Sequence, residues 1–163
     1  NKEFLRFLAI FNLLAIPMYV VLIFDIDFIP LQEAYTFVLK ELFSFLGYNV
    51  ERTGMLLYFD DLVIDISRDC IGWKSAYTLF ALILATPYSA MKEKTKFYIR
   101  TLPILVVLNF LRVVIATLIG VNFTVEAMRK FHFIAQFAMI GFVLFLWLKW
   151  LNKVKHILKK QNI

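Results

Sequence analysis

The sequence predicts an all-α membrane protein with about four transmembrane helices, an extracytoplasmic amphipathic helix and a small β-hairpin. Three observations predict it. Hydrophobic residues make up 61% of the 163 positions and mean hydropathy is +0.75, against about 45–50% apolar residues in soluble domains. Four apolar runs reach the roughly 20 residues that a helix needs to cross the hydrocarbon core. Basic clusters flank these runs at alternate ends, as the positive-inside rule requires. No linker rich in Pro, Gly or Ser, no low-complexity tract and no internal repeat interrupts the chain, so residues 1–163 read as a single domain.

The first run, Phe4–Phe24, carries Asn12 and Pro17. It is long and poor in small residues at its end, which reads as a retained span and not a cleaved leader. The second run, Ile71–Ala90, has Lys74 in its first turn. The third, Phe97–Gly120, encloses Asn109 and Arg112. The fourth, Phe131–Trp150, opens with His132 and closes with Trp147 and Trp150, aromatics suited to a membrane interface.

Charge fixes the sidedness of these runs. The net charge of +6 is concentrated in Lys2 and Arg6, in Lys92, Lys94, Lys96 and Arg100, and in Lys149, Lys153, Lys155, Lys159 and Lys160. Each cluster borders an apolar run, so these charges orient helices against the cytoplasmic leaflet and no nucleic-acid partner is expected. The expectation is a multi-pass protein of the cell membrane with both termini cytoplasmic. The acidic stretch Asp25–Asp69 and the Val121–Lys130 loop then lie outside.

Within the outer stretch, Glu33, Thr36, Lys40, Glu41 and Ser44 make a polar stripe at helical spacing. Ala34, Tyr35, Val38, Leu39, Leu42, Phe43 and Phe45 cover the rest. Leu31–Leu46 therefore reads as an amphipathic helix lying in the outer interface, with a fifth span as the alternative. Asn49–Phe59 and Leu62–Ile66 read as strands of a hairpin joined at Asp60–Asp61. Leu31–Asp69 is the candidate for substrate recognition, because it borders the site described next.

Polar groups inside membrane helices are costly and need a reason. The charge-derived topology brings Cys70, Arg112 and His132 towards one face of the membrane. A thiolate is a strong nucleophile, and a helix start lowers a thiol pKa through its unpaired N–H groups and dipole. Gly72 leaves room for a substrate backbone. A histidine can take the thiol proton and later protonate a leaving amine. A guanidinium in a low-dielectric site can hold an oxyanion. The plainer readings are a small buried hydrophobe for Cys70, a helix cap for His132, and an ion pair of Arg112 with Asp65 or Asp69. A lone cysteine excludes an intramolecular disulfide and a multi-cysteine zinc site. Asp60, Asp61 and Asp65 read as a solvated acidic turn, so neither a metal nor a cofactor is expected.

Cys70-Ile71-Gly72-Trp73-Lys74-Ser75 resembles the Cys-Ser/Thr-Gly-x-x-Ser motif of the exosortase/archaeosortase family. Asn109-Phe110-Leu111-Arg112 is similar to its Asn-x-x-Arg motif, and Phe131-His132 to its Phe-His motif. Order and spacing match over Val50–Gly141. The resemblance implies a membrane-embedded cysteine transpeptidase. Its substrates would be exported proteins ending in a short motif, a membrane helix and a basic tail. The new C-terminus would pass to an acceptor, in archaea a lipid amine. Cys70 would be the nucleophile, Arg112 the oxyanion or thiolate stabiliser and His132 the general acid/base. Gly72, Ser75, Asn109 and Arg129 would contact substrate. Some archaeal members use a second Arg in place of the His; Arg129 lies close by, but His132 fits the helix-opening position better. The compact length points to an archaeal member. Ile71 departs from the motif and removes a hydroxyl. A peptidase that only hydrolyses, and a non-enzymatic scaffold or transporter subunit, remain as alternatives.

Overall fold

The computed structural model describes residues 2–87 and 89–161, with side-chain surroundings through Lys155. The Lys159 and Lys160 side chains of the basic tail lie outside the described residues. Five α-helices and three strands follow in order: α1 (Lys2–Ile23), α2 (Ile29–Phe45), β1 (Glu51–Thr53), β2 (Leu56–Phe59), β3 (Leu62–Asp65), α3 (Trp73–Ala85), α4 (Met91–Asn122) and α5 (Val125–Gln161). A 3₁₀ turn, Arg68–Ile71, links β3 to α3.

Among the described residues three helices, α1, α4 and α5, are long and apolar enough to cross a membrane. The second expected span is shorter than its apolar run. Helix α3 has 13 residues, about 20 Å at 1.5 Å per residue, against a hydrocarbon core of about 30 Å. Two local features set its limits. The left-handed Gly72 (φ 78°) closes the preceding 3₁₀ turn, and Pro87 biases Thr86 away from helical torsions. The expected loops also shrink. Met91 already begins α4, and α5 begins at Val125 after a turn at Phe123–Thr124.

The hairpin is instead a three-stranded antiparallel meander in the order β1-β2-β3. Glu51 pairs with Tyr58, and Leu57 with Ile64. Gly54, at φ 59°, breaks the first expected strand in two and supplies the turn between β1 and β2. Period-2 alternation turns Leu57, Phe59 and Ile64 inward.

The chain packs as two compact units. One comprises Asn1–Asp25, Lys74–Leu105 and Ala138–Ile163. In it Phe7 stacks on Trp147 at 5.5 Å and Phe97 on Trp150 at 5.2 Å. Trp147 Nε1 donates to Thr86 Oγ1 (3.1 Å), and Lys94 Nζ donates to the carbonyl of Leu84 (2.9 Å). That cation satisfies a carbonyl that α3 leaves open at its C-terminus. Most apolar side chains of α1 point outward, Phe4, Leu13 and Ile23 among them, as a lipid-facing helix requires.

The other unit comprises Ile26–Trp73 and Val106–Phe137. Its core joins Leu39 and Phe43 of α2 to Leu57, Phe59 and Ile64 of the sheet, Ile66, and Val113 and Val114 of α4. Helix α2 buries Gln32, Thr36, Leu39 and Phe43, so Thr36 leaves the expected polar stripe and faces the core. Hydrogen bonds make this burial affordable. Thr36 Oγ1 donates to the Gln32 carbonyl (2.7 Å), Gln32 Oε1 accepts from the Phe28 N–H (2.8 Å), and Gln32 Nε2 donates to the Ile66 carbonyl (3.2 Å).

Candidate active site

Cys70 sits in the 3₁₀ turn between β3 and α3. Ser67 precedes this turn; its carbonyl accepts the Cys70 N–H (2.9 Å), and its hydroxyl lies 3.6 Å from the Cys70 Sγ. The thiol is therefore not at the open N-terminus of a long helix, and its own N–H is already spent. Burial pushes the thiol up from its ordinary pKa; the Ser67 hydrogen bond and the Arg112 guanidinium pull it back down, and Asp69 adds to the rise. The helix-start activation expected from the sequence gives way to a neutral, half-buried thiol.

Helix α4 holds this turn by its backbone. Asn109 Nδ2 donates to the Cys70 carbonyl at 2.6 Å, and Arg112 Nη2 donates to the Asp69 carbonyl at 3.1 Å. Residues three apart share a helix face, so one turn of α4 takes two successive carbonyls of the nucleophile loop. Asn109 is 2% exposed and Arg112 8%. Arg112 Nε is buried and has no hydrogen-bond partner among the described residues.

Gly72 serves this contact. A Cβ at Gly72 would come within 2.6 Å of Asn109 Cγ and 2.8 Å of its Nδ2. On the side where a Cβ would stand, the space is taken by the asparagine. Ser75 lies half-buried on α3 in the other unit.

His132 lies roughly two turns into α5, not at its opening, because the helix begins at Val125. Cys70 and His132 line one cavity of about 350 Å³ together with Arg129 and Gln136 of α5, Val113 and Thr117 of α4, and Ile66. The walls are mostly apolar, and Arg129 is exposed. A second cavity of about 380 Å³ lies at the sheet edge, beside Tyr48, Asp60, Asp61 and Thr124. Among the described residues, no group of His, Cys, Asp or Glu side chains is placed to hold a metal ion.

The sequence reading passes over two residues at the site. Tyr35, counted there with the apolar cover of α2, accepts a hydrogen bond from Asn109 Nδ2 (3.2 Å). Burial pushes its hydroxyl well above the usual range; Cys70 adds to the rise, while Arg112 and the Asn109 bond oppose it. Ser67 could have been noticed as a hydroxyl three positions before the cysteine, the spacing that a 3₁₀ turn brings together.

The cavity and its thiol sit within a chain that the transmembrane exosortase family model matches over residues 2–149. No curated protein and no solved structure matches the chain.

Proposed function

Since this chain belongs to the transmembrane exosortase family, we propose that it is a cysteine transpeptidase that cleaves exported proteins before a C-terminal membrane helix and basic tail. What supports this reading above all is the convergence of three distant stretches. Cys70 and His132 face one cavity, and Arg112 grips the carbonyl next to the nucleophile with Nε still unspent.

The chemistry follows from those positions. A half-buried, neutral thiol needs a base as it attacks, and His132 takes the proton. Sulfur bonds to the scissile carbonyl carbon, and the carbonyl oxygen becomes an oxyanion beside Arg112. The intermediate collapses to a thioester as the C–N bond breaks, and His132 returns the proton to the leaving amine. The amine of a membrane lipid then attacks the thioester and restores the thiol, leaving an amide on the substrate. Water in place of the amine would leave a carboxylate. In this reading Asn109 positions the nucleophile, while Arg129, at the cavity rim, contacts substrate. The site opens towards the extracytoplasmic side, with both termini cytoplasmic.

Intact mass spectrometry of exported proteins tests this in cells carrying the wild-type or the Cys70→Ala chain. Tail loss is expected only with Cys70, and the mass at the new C-terminus separates lipid transfer from hydrolysis. Undiminished tail loss with Cys70→Ala overturns the reading.

A further inference from the structure

The polarity of the hydrogen-bond chain at Asn109 can be read without ambiguity. The Cys70 carbonyl can only accept, so the Asn109 atom 2.6 Å from it is the amide nitrogen. The same nitrogen lies 3.2 Å from the Tyr35 Oη. Tyr35 therefore accepts there, and its own hydroxyl proton points elsewhere. Among the described residues that proton has no acceptor, although the residue is half-buried and its oxygen shares Asn109 Nδ2 with the Cys70 carbonyl. The ring is held edge-on against Phe110 at 5.5 Å, which places the oxygen, while the O–H can turn about its bond to meet an acceptor.

A free donor on an oxygen held by the same amide nitrogen that grips the nucleophile's carbonyl suits one task. We propose that Tyr35 is a catalytic residue of the acyl-transfer reaction, donating its hydroxyl hydrogen bond to the oxyanion that forms when Cys70 attacks a carbonyl. This deepens the transpeptidase reading and rests on it. No proton is transferred: the hydroxyl keeps its hydrogen, and the oxyanion accepts a hydrogen bond from it alongside one from Arg112. Burial keeps Tyr35 protonated across the physiological range, which a donor requires. The arrangement also explains why α2 presents a tyrosine to the core where phenylalanine would fill the same space.

The test separates oxyanion-forming from oxyanion-free reactions at one thiol. The full chain, purified in detergent, is treated with p-nitrophenyl acetate or with iodoacetamide, and modification of Cys70 is followed by intact mass. Acetylation passes through a tetrahedral oxyanion; alkylation does not. Tyr35→Phe keeps the ring and its contact with Phe110. It is expected to slow acetylation roughly 10- to 100-fold and to leave alkylation within about twofold, since removing one donor touches only the charged intermediate. Equal slowing of both reactions would make Tyr35 a support for Asn109 and overturn the proposal, as would no slowing of either. The two readings fail separately. A silent Tyr35→Phe with Cys70-dependent tail loss removes only the tyrosine's role. Tail loss that persists with Cys70→Ala removes the transpeptidase and leaves the acetylation comparison intact.

Discussion

At the scale of single residues, Cys70 is governed by burial more than by any helix terminus. Its thiol is raised by desolvation and lowered by Ser67 and Arg112. Less thiolate is thus present at neutral pH than on a free cysteine, and the fraction grows as pH rises through the elevated pKa. Iodoacetamide labelling of Cys70 should keep accelerating at pH values where a free thiol has levelled off. Ser67→Ala removes a hydrogen bond that favours the charged form, so its profile should shift to still higher pH. A wild-type profile that levels at or below the free-thiol midpoint would contradict this account. Cys70, Arg112 and His132 were legible in the sequence because chemistry-bearing side chains within or beside apolar runs are conspicuous. Tyr35 and Ser67 were not, since a tyrosine on an amphipathic helix and a serine before a turn are ordinary where they stand.

At the scale of elements, the 3₁₀ turn and α4 meet at Gly72 and Asn109. Gly72 has φ 78°, and the atoms a Cβ would strike belong to a side chain pinned by two hydrogen bonds. Gly72→Ala should therefore destabilise the protein by about 1–3 kcal/mol and loosen the Asn109 grip on Cys70. Thermal unfolding in detergent measures the first effect and the rate of Cys70 alkylation the second. Gly141, with nothing within 4 Å of its would-be Cβ, serves as the control, and Gly141→Ala should leave both unchanged or slightly improve stability. An equal response of the two variants would refute the close-approach argument. Hydropathy located every long helix but not its ends. Apolar residues continue through turns at Phe123–Thr124 and before Pro87, so composition cannot show where hydrogen bonding stops. The strand break at Gly54 was visible as a glycine within an alternating stretch, a signal for a turn or bulge. The burial of Gln32 and Thr36 was not visible, because their satisfaction depends on backbone groups 34 residues away or one turn back.

At the scale of the whole molecule, the length of α3 sharpens the question of sidedness. Three helices can cross by length, and the fourth is about 20 Å long. A topology set by charge would put Lys40 outside and Lys96 inside, and would require the segment from the 3₁₀ turn to Ala90 to complete a crossing. Lys40 is half-buried and Lys96 exposed in the structure. In a Cys70→Ala background, a membrane-impermeant maleimide applied to intact cells should label Lys40→Cys and not Lys96→Cys. Permeabilised cells should label both. Labelling of both from outside would mean that α3 returns to the side it left. Sequence charge was enough to pose this arrangement. It could not reveal that the thiol, guanidinium and imidazole all belong to the unit built from Ile26–Trp73 and Val106–Phe137, since that grouping arises from packing.

The grip of α4 on two neighbouring carbonyls bears on how this loop can evolve. Every residue offers the same carbonyl, so Asn109 and Arg112 would hold the backbone of residues 69 and 70 whatever side chains stood around it. The side-chain identities on which the grip depends are then the glycine that admits Asn109 and the two donors. Isoleucine at position 71 leaves both contacts in place, and the nucleophile is anchored without a hydroxyl there.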